Sequence, residues 1–179
     1  VLRPDWFAPL FAPLAPAGGP VIYARSSLLS LSLSHLGLVA LASVAATLVA
    51  VTLAIFVTRP VGASFLPLSR TITNIGQTFP PVAVLALAVP ALGFGAGPTL
   101  VALFLYGLLP IFENAITALS TLPPATMEAA RGMGLNRWQR LWRVELPLAL
   151  PVILTGIRLS VVIALGTATI GSTVAARTL

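Results

Sequence analysis

The chain holds 179 residues, 58% of them hydrophobic and only 8% charged, against about 25% charged in a soluble domain, and its mean hydropathy is +1.02. A water-soluble globular domain is excluded, and lipid is the expected solvent. The net charge of +6 comes from ten arginines and no lysine, scattered between uncharged runs, so a continuous basic face for nucleic acid is not expected. Zero cysteine and a single histidine, His35, exclude a disulfide framework, a thiolate nucleophile and nearly every zinc arrangement.

Residues 1–35 are rich in proline and aromatics and predict an extracytoplasmic, interfacial segment with Trp6 and Tyr23 at headgroup level; a disordered tail is the alternative. The opening at Val1 shows no charged n-region followed by a cleavage site, so no signal peptide is expected. From 36 to 58 the chain is uncharged and long enough, at about 1.5 Å per residue, to cross a hydrocarbon core of roughly 30 Å. The 59–70 link, with Pro60, Gly62 and Pro67, reads as a loop. Residues 72–92 and 98–119 predict two further crossings separated by a glycine turn at Gly93, Gly95 and Gly97, and 147–171 predicts a fourth. Four is the minimum expected.

Arginines set the orientation. The 59–70 link and the 120–146 loop hold Arg59, Arg70, Arg131, Arg137, Arg140 and Arg143, whereas the other side holds Arg3, Arg25 and Arg177, so both links are expected in the cytoplasm. The 120–146 loop carries the densest signals. Pro123 and Pro124 suit a helix start, Ala125 to Arg131 are good helix formers, and Gly132 and Gly134 end the helix. Asn136 and Gln139 predict a capping box for a second helix, with Trp138, Leu141 and Trp142 on one face and Arg137, Arg140 and Arg143 largely opposite; Leu146 and Pro147 are expected to break it. On these features alone, headgroup anchoring by tryptophan and arginine is an equal reading.

Glu128-Ala129-Ala130, then Gly134, then Val144-Glu145-Leu146-Pro147 resembles the EAA motif of ABC importer permeases. Gln77-Thr78-Phe79-Pro80-Pro81, Leu105-Tyr106-Gly107-Leu108-Leu109-Pro110, Ala129-Ala130-Arg131-Gly132-Met133-Gly134 and Gly166-Thr167-Ala168-Thr169-Ile170 further resemble permeases for glycine betaine, choline and related osmoprotectants. The resemblance implies an all-α, polytopic transmembrane bundle of the type I, MetI-like importer class over residues 36–179, in a bacterial cytoplasmic membrane. It also implies that Glu128, Ala129, Ala130, Arg131, Gly132, Gly134, Leu146 and Pro147 form the coupling element for a cytoplasmic ABC ATPase dimer. The other implied partners are a second permease subunit, identical or paralogous, and an extracytoplasmic substrate-binding protein. Against the family's usual length the chain is expected to be an incomplete permease. Glu128 and Arg131, at i and i+3, could pair or reach the partner. With no Gly-rich phosphate loop and no lysine, the chain is expected to be no enzyme and to hold no cofactor, ATP and Mg²⁺ belonging to the ATPase.

Glu113 and Arg158 fall within expected spans, about 9 and 15 Å from their inner ends. They form a candidate intramembrane charge pair, with snorkelling to the interface as the alternative. Phe79, Phe94, Phe104 and Tyr106 could meet a quaternary ammonium group by cation–π attraction, or simply pack. Two other readings stay open: import of an amino acid, oxyanion or other small solute, and a channel or membrane scaffold.

Overall fold

The computed structural model describes residues 27–178 together with Pro9 and Ala12, so the interfacial segment expected around Trp6 and Tyr23 lies outside the described residues. Helix α1, Leu28–Val57, starts eight residues before the expected boundary, because the Ser27 side chain accepts the Ser30 N–H and caps it. Its buried face is His35, Val39, Ala42, Ala46, Ala50, Ala54 and Val57. Small residues at helical spacing let the next helix approach closely in a setting where hydrophobicity alone does not hold helices together. Leu33, Leu41, Val44 and Leu48 lie exposed on the remaining surface, as a lipid-facing stripe does.

The 59–70 link is shorter as a loop than expected. A 3₁₀ turn at Ala63–Phe65 leads directly into helix α2, Leu66–Thr78, since Pro67 occupies the first turn, where its missing N–H is no loss. The expected crossing at 72–92 is not one straight helix. Phe79 is extended (φ −104°, ψ 145°) before the Pro80–Pro81 pair, as a residue preceding proline must be. Helix α3, Pro81–Leu92, then departs at 97° to the helical stretch before it. Among the described residues three stretches are therefore long and apolar enough to cross a membrane: Leu28–Val57, Ala96–Ser120 and Arg137–Val174. A fourth crossing arises only if the two bent halves count together.

Gly93 and Gly95, both at positive φ, make the expected turn into α4, Ala96–Ser120. This helix is the centre of the bundle and supplies Leu103, Ile111 and Phe112 to its core. Helix α5, Pro124–Gly132, and the single turn α6, Arg137–Arg140, follow. A π-helical turn at Leu141–Glu145 then carries the chain into α7, Leu146–Ile170. No break occurs at Leu146–Pro147. The wider turn, in which the Leu146 N–H reaches the Leu141 carbonyl, absorbs the donor that Pro147 lacks. At Gly156, α7 touches α4 backbone to backbone: a Cβ there would lie 2.7 Å from the Pro110 carbonyl oxygen.

Candidate coupling site at the loop end of the bundle

Helix α5 is presented by its own termini. Proline occupies both Pro123, the N-cap, and the following position. At the other end Gly134 takes φ +76°, its N–H donates to the Arg131 carbonyl (2.9 Å) and the Leu135 N–H to that of Ala130 (3.2 Å). These two bonds form a Schellman stop, whose left-handed residue favours glycine. Gly134 thus ends α5, while Gly132 remains within it. Ala130 is buried, 1% exposed. Glu128, Ala129, Arg131, Gly132 and Met133 are all exposed, so α5 offers a small-residue surface flanked by two opposite charges. Among the described residues neither Glu128 nor Arg131 makes an ion pair.

The capping box closes as expected: the Asn136 side chain accepts the Gln139 N–H (2.9 Å) and the Gln139 side chain accepts the Asn136 N–H (3.0 Å). The expected apolar face of Trp138, Leu141 and Trp142 does not form, since Leu141 alone is buried and both tryptophans stay exposed. Arg140 turns inward as well. Its Nε donates to Glu145 Oε1 (2.9 Å), and Arg59 Nη2, beyond the end of α1, donates to Oε2 (2.5 Å). Glu145 is 3% exposed, and two charge-assisted hydrogen bonds compensate its burial. Sequence reasoning did not single out Glu145 as a site residue. A lone glutamate before Leu-Pro, within reach of several arginines, was the available signal.

The triad floors a cleft of about 750 Å³ whose walls include Phe56, Leu119, Met127, Arg131 and Trp138. The expected coupling residues are thus split. Glu128 to Gly134 stand on α5 and its stop, whereas Leu146 and Pro147 begin α7 beyond the π turn, with Arg140 and Glu145 standing between the two groups along the chain.

The pair expected between Glu113 and Arg158 is not formed. Glu113 instead accepts two hydrogen bonds from Arg70 of α2, at 3.0 and 3.3 Å. Helix phase explains the difference: α7 meets α4 through Gly156, and two residues on, at about 100° per residue, Arg158 points away from α4 and is exposed.

The aromatics also separate. Phe94 is exposed at a turn, and Phe104 packs partly buried against the core. Tyr106 and Phe79 form a knot at the break between α2 and α3. The Tyr106 hydroxyl donates to the Phe79 carbonyl, and the Gln77 amide donates to the Tyr106 carbonyl (3.1 Å), whose helical donor is missing because residue 110 is proline. The carbonyl that Pro110 leaves without its helical donor is thereby met from the opposing helix. Tyr106→Phe should cost about 1 kcal/mol, read as a lower unfolding midpoint in detergent; an unchanged midpoint would deny the knot a structural role.

Residues 46–178 match the family model described as binding-protein-dependent transport system inner membrane component. The osmoprotectant import permease OsmY of Salmonella typhimurium is 46% identical over 141 residues, 79% of this chain and 60% of that protein. The glycine betaine/carnitine/choline transport system permease OpuCB of Bacillus subtilis is 38% identical over 132 residues, 70% of this chain and 61% of that protein. The chain thus spans about 60% of the length of these relatives. A chain of the MetNI methionine ABC transporter, solved in inward-facing conformations, shares the fold with a TM-score of 0.68 at 22% identity, covering 80% of this chain and 72% of its own. A helical bundle of this fold, matched by the family model over most of its length, belongs to the binding-protein-dependent transport system inner membrane component family.

Proposed function

We propose that this chain is the membrane-spanning part of an ATP-driven importer for a quaternary-ammonium osmoprotectant of the glycine betaine or choline type. In this reading α5 is the coupling element for a cytoplasmic ABC ATPase dimer. The observation that carries it is a short helix with exposed small residues, ended by a Schellman stop at the loop end of a bundle in this family. The substrate class rests on relatives named for osmoprotectants and for glycine betaine, carnitine and choline. A second permease subunit and an external binding protein complete the assembly, and ATP with Mg²⁺ is held by the ATPase.

ATP binding would close the ATPase dimer, draw α5 with it and tilt the bundle between inward- and outward-open states. The Arg59–Glu145–Arg140 triad suits this task. It ties the end of α1 to the base of α7 through two ionic contacts, so a displacement beginning at the loop reaches both helices as one body.

The test is uptake in proteoliposomes holding the protein with its ATPase and binding protein. ATP-dependent accumulation of glycine betaine or choline is expected. Uptake of an amino acid or an oxyanion without competition from betaine would overturn the substrate assignment.

A further inference from the structure

The cleft above the triad joins two kinds of wall. One is apolar: Ile55 and Phe56 come from the last turn of α1, Val61 from the turn beyond it and Leu119 from the last turn of α4. Phe56 and Val61 are exposed. Both helices are long and apolar enough to cross a membrane, so the cleft opens where two spans leave the hydrocarbon.

The other wall is cationic. Arg59, Arg131, Arg137 and Arg140 line it, against Glu145 as the single carboxylate. Each oxygen of that carboxylate already accepts from one guanidinium, Arg140 through Nε and Arg59 through Nη2. Among the described residues Arg131 and Arg137 make no ion pair. Positive charge is therefore left over inside a concave site, where solvent screens it less than on an open surface. Helix phase sets the cleft apart from the surface offered to a partner. Met127 and Arg131, at i and i+4, line the cleft, whereas Glu128 and Gly132 lie about 100° further round α5.

We infer that this cleft binds the headgroup of an anionic phospholipid. A planar guanidinium fork matches phosphate oxygens two at a time, and Arg131 and Arg137 supply such forks without a competing carboxylate. The apolar wall separates a lipid from a free anion. Ile55, Phe56, Val61 and Leu119 give an acyl chain a path from the headgroup into the bilayer, which inorganic phosphate or a nucleotide does not need. Basic pockets between spans select anionic headgroups in this way. A lipid held here touches α1, α4, α5 and α6, and so adds to the triad as a tie between them. The inference holds whichever solute the bundle moves.

Trp138 lines the cleft and reports on it alone once Trp6→Phe and Trp142→Phe remove the other two of the three tryptophans. This protein, whole and reconstituted in phosphatidylcholine bilayers, would be titrated with dibrominated phosphatidylglycerol or, separately, dibrominated phosphatidylcholine, both of which quench tryptophan. Half-maximal quenching should need at least tenfold less phosphatidylglycerol than phosphatidylcholine. Arg131→Gln combined with Arg137→Gln should bring the two lipids within twofold of each other. Arg131→Lys combined with Arg137→Lys, which keeps the charge and loses the fork, should fall between. Arg143→Gln, at an exposed position outside the cleft, should select as the unsubstituted cleft does. Equal quenching by the two lipids with the cleft intact, or a glutamine pair that still selects tenfold, would overturn the inference. So would full relief of quenching by glycerol phosphate at the lipid's own concentration, which would assign the cleft to a free anion, or by an acidic peptide, which would assign it to a protein segment.

Discussion

Glu145→Ala is expected to be the most destabilising single substitution at the loop end of the bundle. The carboxylate is almost fully buried in a π turn and is the shared acceptor of Arg59 and Arg140. Removing it leaves two guanidinium groups facing each other without a counter-charge. Breaking a buried pair costs about 3 to 5 kcal/mol. The lower figure applies here, because the Arg59 and Arg140 side chains are 30% and 15% exposed and water screens part of the repulsion. Glu145→Gln keeps an acceptor and the side-chain volume, so it should lie between the parent and the alanine variant. The measurement is the unfolding midpoint in detergent, in the order parent, Gln, Ala. An alanine variant as stable as the parent would show that the triad holds nothing together.

Local chemistry made much of the loop legible. The Pro123–Pro124 start and the Asn136–Gln139 box follow from single-residue hydrogen-bonding rules, and both stand in the structure. What escaped was decided by phase and by longer-range partners. Depth alone pairs Glu113 with Arg158, yet a helix places charges by angle, and the face of α7 that meets α4 is set by Gly156. Pro80 and Pro81 were visible, but an uncharged run long enough to span masked the bend they impose. The π turn has no sequence signature of its own. Leu141 and Glu145, at i and i+4, are buried together while Trp142 stays exposed, whereas the apolar pattern groups Leu141 with the tryptophans.

On the importer reading, α5 is where an ATPase grips this chain. Glu128 is exposed and free of ion pairs among the described residues, so Glu128→Arg changes the surface a partner meets while leaving the bundle's packing alone. Gly134→Val acts differently: a β-branched residue at φ +76° is strained by about 1 to 2 kcal/mol, which tips α5 off its Schellman stop. Neither change touches the apolar spans, so both variants should insert in the membrane in normal amounts. Transport should fall at least tenfold in each. The most direct measurement is co-purification of the ATPase with parent, Glu128→Arg and Gly134→Val proteins from membranes containing equal amounts of each, with ATP-dependent uptake followed in the same preparations. Joint loss of ATPase association and uptake in both variants is the predicted result. Full association and normal uptake in both would contradict it and leave the loop as a headgroup anchor.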